Sequence, residues 1–274
     1  MITSCQNEVA EESSKLGVVV TILPQAAFVE QVGGEKVEVS VMVPPGASPH
    51  TYEPKPSQLV ALEKAVVYFK VGSGIDFELS WMDKLLDINN EMALVDCSEG
   101  ITLIESIEGE HHGGVDPHIW MSPVNTVVMV ENICRGLVEA DPQNRDYYEA
   151  NKDTYITSLL RLNSEIKKGL EGVENRTFMV YHPSFGYYAK EYGLTMLSIE
   201  EDGKEPTPAG MASLIDRALE NSIKVIFVDP QFNPQSAEVI AEAIDGTVAF
   251  IDPLVKDYLK NIELLSEALL NSME

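Results

Sequence analysis

The stretch PQNRDYYEANKDTYITSLLRLNSEIKKGL, residues 142–170, decides the fold. Its apolar residues recur at helical spacing, and Pro142 can occupy a first helical turn. The apolar stripe consists of Ile156, Leu159, Leu160, Leu162, Ile166 and Leu170. The sequence therefore predicts one unusually long helix that lies against a core and is stiff enough to link two domains. A second helix, predicted at residues 123–139, precedes it directly.

On both sides of this long helix, short β-branched runs alternate with amphipathic stretches. The runs predict strands at 16–23, 37–43, 66–71 and 93–96 before it, and at 178–181, 194–199, 225–228 and 248–251 after it. Helices are predicted between these strands, and a final one at 254–270. Such a succession is typical of doubly wound α/β sheets. We expect two α/β lobes with parallel-rich sheets, joined by the long helix, with a ligand cleft between them.

The predicted organisation has four parts. Residues 1–15 form a lipoprotein-type tether, 16–141 the N-terminal lobe, 142–171 the linking helix, and 172–274 the C-terminal lobe. At 274 residues and 45% hydrophobic content, the chain can bury a substantial core.

The charge balance excludes some partners. The chain has 19 Lys+Arg against 44 Asp+Glu, a formal net charge of -25. This charge repels nucleic acid, so we expect no nucleic-acid partner. The negative charge permits a cation as ligand, but most of it is better explained by the solubility that a charged surface gives.

The three cysteines are Cys5, Cys97 and Cys134, too scattered for a thiolate zinc site. Cys97 and Cys134 are compatible with a disulfide and equally with two buried thiols. Cys5 ends the sequence ITSC, which resembles a lipobox, although no charged or apolar signal region precedes it. We therefore predict a lipid anchor at Cys5; the alternative is an ordinary cysteine in a polar terminus. No run of about 20 apolar residues suggests a membrane span.

Three of the five histidines lie beside proline in loops next to predicted strands or helices: His50, His118 and His182. His182 directly follows one predicted strand, and Asp252 directly follows another. Open α/β sheets place ligands beyond the carboxyl ends of their strands, so these side chains can converge on one crevice.

Three imidazoles and one carboxylate suit a borderline divalent ion such as zinc better than calcium or magnesium. Manganese and iron stay open, because a carboxylate that binds through two oxygens raises the coordination number. The alternative for each histidine is a solvent-exposed or capping role, and Asp252-Pro253 is equally a helix cap.

Four extended motifs resemble those of the zinc/manganese-type (ZnuA/TroA-like) solute-binding proteins of metal ABC importers. They are PPGASPHTYEP at 44–54, DPHIWMSP at 116–123, YHPSFGY at 181–187 and GKEPTP at 203–208, and the match runs from about residue 15 to the end. The resemblance implies limited domain motion and a buried site built from His50, His118, His182 and Asp252. It also implies a monomeric, extracytoplasmic protein, periplasmic or at the cell surface, that passes its metal to a membrane permease.

Residues 108–114, EGEHHGG, resemble the remnant of a longer histidine-rich loop found in some family members. His111 and His112 are thus candidates for an accessory metal-collecting role, against a plain solvated loop. The short loop favours zinc, whereas Asp252 is the ligand type of manganese relatives. Asp116 is the candidate to hold a ligating histidine through its second ring nitrogen.

Two other classes of function compete with metal import. A zinc hydrolase also uses three protein ligands, but the sequence has neither a His-Glu-x-x-His pair nor a nucleophile-elbow motif. A surface adhesin is the second alternative, since relatives of this type have been described as attachment factors.

Overall fold

The first half of the chain forms a four-stranded parallel sheet. The computed structural model describes residues 15–106, 114–200 and 203–273. The strands are β1 Leu16–Val20, β2 Val37–Val41, β3 Val67–Lys70 and β4 Ala93–Asp96, in the order β2-β1-β3-β4. Because the order reverses at β1, a crevice opens between the carboxyl ends of β1 and β3.

The second half repeats this arrangement. Its strands are β5 Thr177–Val180, β6 Thr195–Ser198, β7 Val225–Val228 and β8 Thr247–Phe250, all parallel in the order β6-β5-β7-β8. The equivalent crevice lies between β5 and β7. The two-lobed parallel α/β fold predicted from the sequence is confirmed.

Nine α-helices lie within the described residues. They are α1 Leu23–Gly33, α2 Pro56–Glu63, α3 Asp76–Ile88, α4 Pro123–Ala140, α5 Arg145–Gly169, α6 Gly186–Tyr192, α7 Pro208–Glu220, α8 Gln235–Ala243 and α9 Tyr258–Met273. The predicted linking helix is α5; at 1.5 Å per residue it is about 38 Å long. It packs against α1, α4 and α9, and so contacts helices from both ends of the chain.

Two helices begin later than the sequence predicts. Residues Pro142–Asn144 form a 3-10 turn before α5, and Asn144 donates a hydrogen bond to the Asp141 carboxylate at 2.7 Å. The last helix begins at Tyr258 rather than at 254. The preceding segment is held elsewhere, since the Pro253 carbonyl accepts a hydrogen bond from Trp120 Nε1 at 3.0 Å.

The larger of two buried apolar clusters contains residues from both lobes, among them Val18 and Phe69 with Phe178 and Phe227. A buried hydrogen bond also joins the two lobes, since the Tyr258 hydroxyl donates to the Trp120 carbonyl at 2.8 Å. The lobes therefore share a core in addition to the cleft.

Cys97 and Cys134 are both buried free thiols. Burial raises the pKa of the Cys97 thiol, which keeps it protonated.

Three residues singled out from the sequence, Cys5, His111 and His112, lie outside the described residues. Within the described ranges, no helix has the length and apolar character needed to cross a membrane.

Candidate metal centre

The structure brings His50, His118 and His182 together in the cleft. One ring nitrogen from each lies within 4.8 Å of the other two. The ring centroid of His182 is 4.8 Å from that of His50 and 5.1 Å from that of His118. His118 and His182 are 4% and 5% exposed, so two of the three rings are almost completely withdrawn from water.

The local fold explains this convergence. His50 lies in the loop after β2, and His182 directly follows the last hydrogen-bonded position beyond β5, where the Tyr181 amide donates to the Phe227 carbonyl. His118 immediately precedes the 3-10 turn Ile119–Met121, which leads into α4. The first lobe thus supplies two rings and the second lobe one, across the cleft.

Each histidine has a carboxylate at its Nδ1 atom. The Nδ1–carboxylate distances are 2.9 Å for His50 with Asp76, 2.9 Å for His118 with Asp116, and 2.6 Å for His182 with Glu200. An ionised carboxylate only accepts hydrogen bonds, so each Nδ1 carries a proton, and in the neutral ring Nε2 is then the nitrogen with the lone pair. Asp116 therefore occupies the position at His118 that the sequence suggested.

The Nε2 atoms of His118 and His182 face each other at 3.3 Å. Two lone pairs at this distance repel unless a proton or a cation lies between them. The carboxylates at Nδ1 thus hold the rings in the orientation in which Nε2 faces the cavity, the atom through which a neutral imidazole binds a metal ion.

Further contacts hold the carboxylates in position. Asp116 Oδ1 also accepts the His118 amide at 2.9 Å, and a Cβ on Gly186 would lie 2.1 Å from Asp116 Oδ2. Only glycine allows this approach.

The loop that leads to Asp76 is anchored by Glu78. This buried carboxylate accepts hydrogen bonds from the amides of Val71 at 2.6 Å and Gly72 at 2.9 Å. Burial raises the pKa of Glu78.

Asp252 is not among the residues whose ligand atoms lie within 4.8 Å of one another, nor among those that line the cavity of the three histidines. Its Oδ1 accepts Gln231 Nε2 at 3.1 Å and the Leu254 amide at 2.9 Å. These bonds orient the carboxylate, and the second one is the capping contact that the Asp-Pro dipeptide suggested as an alternative.

Asp229 is an acidic residue that the sequence reasoning missed. It directly follows β7, is 3% exposed, and lines the same cavity as the three histidines. Burial raises the pKa of Asp229 well above its usual range, and the charges of Asp252 and Glu200 act in the same direction. Its position after a buried strand was the signal that could have identified it.

The cavity between these side chains has a volume of about 20 Å³. Trp120, Phe232 and Leu254 contribute apolar walls, and Phe232 stacks on His182 with ring centroids 4.8 Å apart. Sites for organic ligands are typically about 300–1,000 Å³. The space suits an ion or a water molecule, and an organic solute does not fit.

Asp76 and Glu200 were not identified as histidine partners from the sequence. Asp76 is the first residue of α3, and Glu200 lies opposite His182 when the β5–β6 register is continued beyond Val180 and Ser198. That register becomes known only when the sheet order is known.

Two parallel α/β lobes, a stiff linking helix and three histidines in a buried cleft define a solute-binding protein of a metal ABC importer. The family model described as zinc-uptake complex component A, periplasmic, matches residues 18–272. The chain belongs to this family. Because the family consists of substrate-binding proteins of importers, the chain is a binding protein and not an enzyme.

Individual relatives agree with this assignment. The high-affinity zinc uptake system protein ZnuA of Bacillus subtilis is 30% identical over 271 residues, which cover 93% of this chain and 85% of the relative. The manganese ABC transporter substrate-binding lipoprotein PsaA of Streptococcus pneumoniae is 28% identical over 254 residues, 88% of this chain and 81% of the relative. A crystal structure of ZnuA is 40% identical, with a TM-score of 0.91, and the match covers 95% of this chain and 100% of that one.

Proposed function

We propose that the chain binds one zinc ion through His50, His118, His182 and Asp252 and delivers it to the permease of an ABC transporter. The observation that carries this proposal is the convergence of Nε2 atoms, with the three Nδ1 atoms held by carboxylates. A cation in the cavity relieves the repulsion between the lone pairs and compensates the surrounding negative charge.

The donor set supports zinc among the divalent ions. Imidazole nitrogen suits zinc, copper, iron and nickel, whereas magnesium and calcium require oxygen shells. Three imidazoles and one carboxylate give the four donors that zinc commonly takes. Manganese is the alternative cargo, and PsaA, a relative of this chain, is described as a manganese transporter protein.

Capture of the ion depends on neutral imidazoles. Protons compete with the metal for the same Nε2 atoms, so zinc affinity is expected to fall as pH drops through the range in which imidazoles protonate. Isothermal titration at neutral and mildly acidic pH measures this change. Equal affinity in both buffers would contradict a site made of three histidines.

The decisive experiment is metal competition. Apo protein is dialysed against equal zinc and manganese, and bound metal is counted for the wild type, for His182→Ala and for His111→Ala/His112→Ala. We expect about one zinc per chain in the wild type, loss in His182→Ala, and retention of the tight ion in the double variant. Bound manganese would keep the importer function with another cargo; no tight metal in the wild type would overturn the proposal.

Three further expectations belong to the same function. His111 and His112 collect metal weakly, the chain acts as a monomer, and Cys5 carries the lipid that holds it outside the cytoplasmic membrane. We also propose the lobe boundaries at residues 141 and 171. Detergent partitioning of the protein, expressed behind a lipoprotein signal sequence, tests the anchor; a Cys5→Ser variant should move to the aqueous phase.

A further inference from the structure

Asp229 lines the cavity of the three histidines, and one of its carboxylate oxygens accepts no hydrogen bond from any described residue. Its Oδ2 atom is buried and has no hydrogen-bond partner within the described part of the chain. The β5–β7 register pairs Val180 with Phe227; continued by two residues, it sets Asp229 opposite His182. The carboxyl group thus lies at the crevice between β5 and β7, where ligands of such sheets bind.

A buried carboxylate is unfavourable unless a positive charge or hydrogen-bond donors compensate it. The described residues that line the cavity include no lysine and no arginine. A cation bound by the histidines would be the compensating charge that Asp229 lacks.

Asp252 differs from Asp229 in this respect. One of its oxygens already accepts two hydrogen bonds, from Gln231 and from the Leu254 amide. Asp252 is therefore an oriented carboxylate, whereas Asp229 Oδ2 is a buried oxygen that accepts no hydrogen bond from the described residues.

We propose that Asp229 is a metal ligand that adds a carboxylate oxygen to those of the three histidines and Asp252. This inference rests on the proposed metal-binding function. The Asp229 carboxyl must turn towards the histidines on binding, because it lies outside the set of ligand atoms that are within 4.8 Å of one another.

The consequence concerns the choice of metal. Five protein donors exceed the four of a tetrahedral zinc site and approach the higher coordination numbers of manganese. Asp229 would thus allow the cavity to hold manganese, and its removal would favour zinc. For Asp229→Asn we expect manganese affinity to fall about 10–100-fold, with a smaller loss for zinc.

Cobalt(II) substitution tests direct ligation. In Asp229→Cys, a thiolate that binds cobalt adds a near-ultraviolet charge-transfer band absent from the wild type. Asp245→Cys, at an exposed position, is the control for an added thiol. In Asp229→Asn, loss of one ligand should also intensify the visible cobalt bands, because lower coordination numbers absorb more strongly.

The outcomes separate this inference from the proposed function. A new charge-transfer band in Asp229→Cys, with stronger visible bands in Asp229→Asn, supports ligation. No new band and an unchanged cobalt spectrum in Asp229→Asn would overturn it while the importer function stands. If wild-type protein bound no cobalt, zinc or manganese, the proposed function would fail as well.

Discussion

Three carboxylates determine how the histidines of the cavity present their nitrogens. Asp76, Asp116 and Glu200 each accept from an Nδ1 atom, so that the lone pairs of the Nε2 atoms face the cavity. Such partners commonly change metal affinity about 10–100-fold when they are replaced. Metal affinity is therefore expected to depend on these acids as well as on the histidines.

The first prediction concerns the charge at Glu200. In Glu200→Gln, the amide oxygen can still accept from His182 Nδ1, but the negative charge that makes Nε2 more basic is lost. We expect zinc affinity to fall about 10–100-fold, measured by competition with a chromogenic chelator. Glu220→Gln removes the same charge from an exposed position and should leave affinity unchanged. Equal affinity in both variants would show that Glu200 has no such role.

The second prediction concerns the thiols. Cys97 is 0% and Cys134 4% exposed, and Gln25 Nε2 donates to Cys97 Sγ at 3.6 Å. In a Cys5→Ser background, an aromatic disulfide reagent should label neither residue in the native protein. After unfolding without reductant, both thiols should react. No reaction in the unfolded chain would indicate a disulfide between them instead.

At the scale of elements, the close approach of α4 to the first sheet depends on Gly136. A Cβ at this position would lie 2.7 Å from Phe69 Cε1 and 2.8 Å from Val95 Cγ2. Both side chains belong to strands that α4 covers. Glycine at this position lowers the helix propensity of α4, but it allows the helix to pack closely on β3 and β4.

The third prediction tests this packing. Gly136→Ala gains about 0.5–1 kcal/mol of helix propensity but costs about 1–3 kcal/mol of overpacking, so we expect a net loss of stability in urea unfolding. Ser164→Ala, at an exposed position on α5, gains propensity without a clash and should be neutral or slightly stabilising. A stability gain in Gly136→Ala would mean that the sheet can yield to the added methyl group.

At the scale of the whole molecule, the two lobes are joined by more than α5. One apolar cluster includes Val18 and Phe227, and Trp120 donates to the Pro253 carbonyl across the lobes. The cleft is thus closed at its base by packed side chains.

The fourth prediction follows from this shared core. Scanning calorimetry of apo protein should give one cooperative unfolding transition, because neither lobe keeps a complete core when the other unfolds. Zinc at 100 times its dissociation constant should add about 2.7 kcal/mol and raise the transition temperature. Two separate transitions in the apo protein would show that the lobes unfold independently.

The sequence determined much of the fold. Strands β4 and β7 begin and end at the predicted residues, Ala93–Asp96 and Val225–Val228, since short β-branched runs bounded by loop residues leave few alternatives. The long helix could be predicted because its apolar stripe, from Ile156 to Leu170, continues over about four turns. The start of α9 could not, because the hydrogen bond from Trp120 to Pro253 joins residues 133 positions apart.

The same division holds for the site. Proline-flanked loops next to strands or helices marked His50, His118 and His182, and the ends of parallel strands, which His50 and His182 follow, meet at one edge. Which acids serve them was decided by tertiary structure: Asp76 is 26 positions from His50, and Glu200 is 18 from His182. Tertiary structure also decided that Asp229 Oδ2 is buried without a hydrogen bond from the described residues and that Asp252 Oδ1 accepts two. The local sequence determines which side chains lie at the end of a strand. Strand register and the packing of the two lobes determine which of these side chains contact one another and which are buried away from water.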